Sequence, residues 1–158
     1  IPAQAGLGGG SSDAAATLLA AARLHGLALG ADRLETVAAR VGSDVPFFVR
    51  GGCQLAHGRG ERLRTATCPP FAALLVKPTF GLSTPAVYAA FDRGGAPSPV
   101  ARTEVPESFA PLARWVRNDL WAAALALAPA LGAVARDLAG AGARATLLCG
   151  SGSCVAGL

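Results

Sequence analysis

The chain has 158 residues, 52% of them hydrophobic and 15% charged, with a formal net charge of +4 and a mean hydropathy of +0.42. That composition excludes disorder and leaves ample apolar surface for a core, while Gly, Pro or charge breaks every apolar run before the roughly 18 residues of a bilayer span, so a membrane helix is excluded too. The basic residues, all arginine except Lys77, are scattered rather than clustered, which argues against a nucleic-acid footprint.

The chain opens on Ile1-Pro2-Ala3-Gln4, contains no Met, and runs apolar to Leu158, so both ends read as internal and a fragment is expected. From Ser11 to about Leu27 a hydroxyl cap, the first-turn acid Asp13, an alanine-rich body, Arg23, His25 and a closing glycine predict a helix. Leu34, Val37, Ala38 and Val41 recur at helical spacing and predict a second one over Ala31 to Val41, closed by Gly42. Pro46 suits a first helical turn, so Ser43 or Asp44 is expected to cap a short helix reaching Phe48 or Val49.

Cys53 to Thr67 reads as two short strands around His57-Gly58-Arg59-Gly60. Cys68-Pro69-Pro70 breaks the pattern and suggests a domain boundary, dividing residues 1–68 from 69–158. Beyond it the spacing predicts a strand from Phe71 to Val76, a helix from Thr84 to Phe91, and a Gly- and Pro-rich surface loop from Arg93 to Pro106. A helical stretch from Asn118, interrupted at Pro129, resumes through Leu138; a strand over Ala143 to Cys149, a tight GSGS turn and a strand from Cys154 follow.

Cys53, Cys68, Cys149 and Cys154 lack CxxC spacing, and His25 and His57 complete no zinc pattern, so free buried thiols and no metal site are expected. Trp115 and Trp121 read as packing residues, Lys77 and Arg50 as solvated charges.

The stretch GLGGGSSDAAA, Gly6 to Ala16, places glycines directly before a helix. Glycine lets a backbone approach a ligand closely, and the first helical turn turns unpaired N–H groups and partial positive charge outward, which suits phosphate. Ser11 and Ser12 add hydroxyls that can also assist a magnesium ion. The Walker A pattern fails for want of a lysine, and the dinucleotide pattern fails because Ser11 stands where its last glycine belongs. The competing reading is a flexible turn capped by serine. Asp44 can serve as a general base or cap the helix ahead of Pro46; Gly150-Ser151-Gly152-Ser153 can be a ligand loop or a hairpin turn; Tyr88 can stack on a base or fill the core.

Pro2-Ala3-Gln4-Ala5-Gly6-Leu7-Gly8-Gly9-Gly10-Ser11-Ser12-Asp13-Ala14-Ala15 resembles the second signature of the GHMP small-molecule kinases. In the same order follow Gly42-Ser43-Asp44-Val45-Pro46-Phe47-Phe48, the GLSTPAVYAAF segment, Asn118-Asp119-Leu120, and Gly150-Ser151-Gly152-Ser153-Cys154-Val155, which resembles the third. The resemblance implies an α+β fold of two domains, a partial S5-like N-terminal one and an incomplete ferredoxin-like C-terminal one. It implies ATP and Mg2+, with the phosphates on Gly6, Leu7, Gly8, Gly9, Gly10, Ser11 and Ser12, Asp44 as base toward the substrate hydroxyl, and Gly150, Ser151 and Gly152 in a loop that helps close the site.

The triple glycine, followed by Gly42-Ser43-Asp44-Val45-Pro46-Phe47-Phe48 and ending in Gly150-Ser151-Gly152-Ser153-Cys154-Val155, resembles the branch acting on a cytidine diphosphate-linked methylerythritol, and the resemblance implies Tyr88 against its cytosine. A first signature bearing a lysine is expected before Ile1. A cytoplasmic enzyme on a small-molecule substrate follows, without nucleic-acid or membrane partners, and a homodimer is compatible with it. The alternatives are a related kinase acting on mevalonate, homoserine or a sugar, a nucleotide-binding module without chemistry, and a nucleic-acid binder on the S5-like fold, which the scattered arginines disfavour.

Overall fold

The computed structural model describes residues 1–94 and 104–158, so the loop expected from Arg93 to Pro106 lies mostly outside the described residues. The architecture is α+β, and the chain divides into two compact units: Gly8–Cys68 make up one, and Ile1–Leu7 with most of the chain from Pro69 onward make up the other.

The Gly8–Cys68 unit holds three helices, α1 (Gly9–Leu24), α2 (Ala31–Val41) and α3 (Val45–Arg50), and a hairpin of β1 (Gln54–His57) and β2 (Arg62–Thr65). Helix α1 begins at Gly9 rather than Ser11, because Gly8 at φ +67° makes the left-handed entry and the helix winds through the glycines themselves. Ser11 and Ser12 therefore sit inside the first turn, no side chain caps the helix, and Asp13 is exposed beyond that turn rather than in it. The helix ends at Leu24; Gly26 at φ +63° reverses the chain, and the Leu27 N–H returns to the Ala22 carbonyl at 2.9 Å.

Ala15, Ala38 and Val45 form the buried centre where α1, α2 and α3 meet, with Leu18, Phe48 and Val49 packed around them. Arg50 is exposed yet partnered: its guanidinium grips the Glu35 carboxylate through Nε at 2.7 Å and Nη2 at 2.5 Å, and Nη1 donates to the Leu63 carbonyl at 3.1 Å. One side chain thus ties α3 to α2 and β2, with the two-pronged geometry that only arginine offers. Donating to the Glu35 carboxylate raises its pKa above the usual value. In the hairpin, Gln54 faces Thr65 and His57 faces Arg62; the reversal uses Gly58 at φ +71° and Gly60 at φ +115°.

The other unit holds β3 (Leu74–Val76), α4 (Thr84–Gly94), α5 (Phe109–Trp115), α6 (Trp121–Leu127), α7 (Leu131–Gly140), β4 (Thr146–Leu148) and β5 (Val155–Gly157). Its sheet is antiparallel in the order β3-β5-β4, with β5 buried along its length and α7 against β4 and β5. Leu82, Val87, Ala124, Leu131, Leu148 and Val155 anchor the core between helices and sheet, where burying each large side chain stabilises by about 1.5–3 kcal/mol. Strand β3 starts at Leu74 rather than Phe71, which stays exposed.

Helix α5 was not expected: its sequence FAPLARW is short and places Pro111 near its start, and Leu112 is its one buried residue. The break at Pro129 separates α6 from α7. Lys77 also departs from expectation, its ammonium donating to the carbonyls of Pro78 and Phe80 at 2.8 Å each. No single helix among the described residues is long and apolar enough to cross a bilayer.

Candidate functional site

Where the start of the glycine-rich loop meets the GSGS loop, both need glycine for close backbone contact. Within the unit that contains both Ile1–Leu7 and the GSGS turn, the two stretches of backbone run side by side: Ser153 N–H donates to the Gln4 carbonyl at 3.0 Å and Cys154 N–H to the Ala5 carbonyl at 3.1 Å. Gly6, at φ +73°, lies so near the Cys149 carbonyl that any β-carbon would overlap it, and a β-carbon on Gly150, at φ +51°, would come within 2.9 Å of the Gly6 carbonyl oxygen. Two loops far apart in the chain thus need glycine because of each other. Leu7 and Gly6 are half-buried, Gly150 is exposed, and Ser151 and Gly152 are buried.

The hydroxyls of the GSGS turn point inward. Ser151 Oγ shares a 2.7 Å hydrogen bond with Thr84 Oγ1 at the start of α4, and Ser153 Oγ donates to the Phe80 carbonyl at 2.6 Å. What the turn leaves unspent is backbone: the N–H groups of Gly150 and Ser151 have no acceptor among the described residues. Beneath it, Asn118 donates through Nδ2 to the carbonyls of Leu148 at 2.8 Å and Gly150 at 2.6 Å. Neither Asn118 nor Thr84 was among the expected site residues, although both lie in the ordered motifs of the resemblance, Thr84 in GLSTPAVYAAF and Asn118 in Asn118-Asp119-Leu120.

In the Gly8–Cys68 unit, the amides of Gly9, Gly10 and Ser11 occupy the first turn of α1, which offers them no intrahelical acceptor, and the first closing bond runs from Ser12 N–H to the Gly8 carbonyl at 2.9 Å. Space in front of them is open: a β-carbon on Gly10 would meet nothing within 4 Å. Behind them the Phe48 ring of α3 packs on Gly8, where a β-carbon would sit 2.7 Å from Cζ. The hydroxyls of Ser11 and Ser12 are half-buried and without a protein partner among the described residues.

Asp44 lies in the same unit, one helical turn before Phe48 and directly ahead of α3. It does not cap that helix through its side chain, and its carboxylate is exposed rather than partly buried, with no hydrogen bond or ion pair among the described residues. Its closest constraint is the hairpin turn, since a β-carbon on Gly60 would stand 3.1 Å from Asp44 Oδ1. On that turn the Glu61 carboxyl is held below its ordinary pKa by its own amide and by Arg59 N–H, which donates at 2.8 Å.

Tyr88 on α4 is 52% exposed and so is not a core residue. The cysteines are free, but only Cys154 is buried. Burial, followed by the neighbouring Cys154 thiol, pushes the Cys149 thiol up to about 12.

Residues 1–52 match the family of GHMP kinases N terminal domain. The whole chain aligns at 42% identity with 4-diphosphocytidyl-2-C-methyl-D-erythritol kinase of Pelotomaculum thermopropionicum, of which it covers 57%, and at 40% with that of Bacillus subtilis, of which it covers 56%. The chain is thus similar to the GHMP kinases over residues 1–52 and to these relatives over its whole length. A crystal structure of 4-(cytidine 5'-diphospho)-2C-methyl-D-erythritol kinase, 37% identical, superposes over the whole chain with a TM-score of 0.75, and the match covers 58% of that chain. The chain therefore has the GHMP kinase fold and spans a little over half the length of the curated relatives it matches.

Proposed function

We propose that the chain belongs to a cytoplasmic, ATP-dependent kinase that phosphorylates the 2-hydroxyl of 4-diphosphocytidyl-2-C-methyl-D-erythritol in the non-mevalonate isoprenoid pathway. The observation that carries the reading is the first turn of α1, where among the described residues three successive amides lack acceptors, no side chain closes the helix end, and a β-carbon on Gly10 would meet nothing within 4 Å. An N-terminus built that way binds phosphate through N–H donors and the helix dipole. In this reading the Gly8 to Ser11 backbone holds the ATP phosphates, with Ser11 and Ser12 hydroxyls as further donors.

Phosphoryl transfer needs positioning and charge compensation more than covalent chemistry from the protein. Bound Mg2+ supplies part of that compensation; the Ser12 hydroxyl fits as its protein ligand, and no cluster of three His, Cys, Asp or Glu stands elsewhere among the described residues to hold it. Asp44 takes the proton of the substrate hydroxyl as the hydroxyl oxygen attacks the γ-phosphorus and the bond to the β–γ bridging oxygen breaks, releasing ADP. An unpartnered carboxylate in the same unit as the α1 start is free for that work. Tyr88 offers an exposed ring to the cytosine.

The test is ADP release with the cytidine diphosphate-linked methylerythritol against mevalonate, homoserine and a sugar. It is run on the chain alone and on the chain joined to the opening segment of the Bacillus subtilis relative. Turnover with the cytidine substrate alone supports the assignment. Turnover with another alcohol moves the enzyme elsewhere in the family, and nucleotide binding without transfer leaves only a binding module.

A further inference from the structure

Asn118 stands just before α6, and its side chain spends every short-range option it has on fixed partners. Oδ1 accepts from the Leu120 N–H at 2.9 Å, while the two Nδ2 protons go to the carbonyls of Leu148 and Gly150 at 2.8 and 2.6 Å. The Asx turn that leads into α6 requires only the first of these bonds. The other two seize alternate carbonyls on either side of Cys149, where β4 runs into the GSGS turn.

A trans peptide is a rigid plane in which C=O and N–H point in opposite directions. Drawing the Leu148 carbonyl onto Asn118 therefore turns the Cys149 N–H away, and it does point away, donating to the Cys154 carbonyl at 2.9 Å. The same logic applied to the next held plane turns the Ser151 N–H away from Asn118, and that N–H has no acceptor among the described residues. Ser151 cannot reorient through its side chain, which Thr84 holds.

We infer that Asn118 is a positioning residue of this kinase: it sets the Gly150 peptide so that the Ser151 amide is presented as a donor for a nucleotide phosphate. The inference rests on the reading of the chain as an ATP-dependent kinase. Asn118 itself touches no phosphate; it acts through the backbone it holds.

The experiment uses the full chain with Asn118→Asp, which keeps the acceptor for Leu120 N–H but loses both donors, and Asn118→Ser, whose hydroxyl can still accept from Leu120 N–H in the turn but cannot reach both carbonyls. Two readouts are taken, hydrogen exchange of peptides covering 149–154 against those of α7, and affinity for a fluorescent ATP analogue with Mg2+. We expect exchange of the turn to accelerate at least tenfold in both variants with α7 unchanged. Nucleotide affinity is expected to fall about tenfold or more, the loss typical of one hydrogen bond to a charged group.

Unchanged exchange in the turn overturns the anchoring. Accelerated exchange with unaltered affinity overturns the role toward phosphate. A general loss of protection that includes α7 in both variants reduces Asn118 to a purely structural residue and also overturns it. A parent chain that binds no nucleotide sinks the kinase reading instead, and is recognised by its failure before any substitution is made.

Discussion

Gly6 and Cys149 touch backbone to backbone, with no room between the Gly6 α-carbon and the Cys149 carbonyl for a side chain of any size. The contact joins the leading edge of the glycine-rich loop to the GSGS turn inside one unit. Gly6→Ala adds a methyl group that overlaps the carbonyl and forces a non-glycine residue to φ +73°, a conformation costing about 1–3 kcal/mol before the overlap is counted. Thermal unfolding should show a loss of at least about 2 kcal/mol, together with weaker nucleotide binding. A variant as stable as the parent would mean that the two loops do not hold this contact in solution.

Gly10 behaves oppositely. It sits in the first turn of α1 with free space around it, so Gly10→Ala removes backbone entropy from the unfolded chain and should stabilise by about 0.4–1 kcal/mol. The same methyl obstructs the close approach of phosphate, so the Michaelis constant for ATP should rise several-fold. Stability and affinity moving together in the same direction would show that the glycine serves the helix rather than a ligand.

Asp44→Asn removes a base while keeping the size of a side chain that caps nothing and pairs with nothing among the described residues. Turnover should fall by a factor on the order of 100 or more, the usual range for a general base, with the melting temperature and nucleotide affinity unmoved. Turnover within a few-fold of the parent would take Asp44 out of the chemistry.

Tyr88→Ala tests the substrate side. Because the ring is 52% exposed, its loss should scarcely change the melting temperature. The Michaelis constant for the cytidine substrate should rise by about two- to tenfold, from the roughly 0.5–1.5 kcal/mol of a stacked pair, with that for ATP unchanged. Equal rises for both substrates would argue against stacking.

Cys149 sets an alkaline limb. Its folded pKa of about 12 lies above the ordinary 9.0, so the unfolded chain releases its proton first as pH rises. The contribution of the neutral thiol is therefore complete below pH 9 and is lost between about 9 and 12. Cys149→Ala should flatten the fall in stability over that window, measured by urea unfolding at several pH values. A limb of unchanged slope would assign it to other groups.

Local grammar carried much of this fold. The three- and four-residue recurrence of Leu34, Val37, Ala38 and Val41 sets α2, Pro46 sets the first turn of α3, and the glycines at 58 and 60 set the hairpin, because each signal acts within a few residues of backbone. Ordered motifs likewise carried the resemblance to the GHMP kinases. What tertiary structure alone decided is every relation between distant residues: the mutual need of Gly6 and Gly150 for glycine, the grip of Arg50 on Glu35, the hold of Asn118 on the Gly150 carbonyl, and the exposure of Asp44. A side chain's type states which bonds it can make; only closing the chain brings it a partner, and burial or freedom follows from that packing.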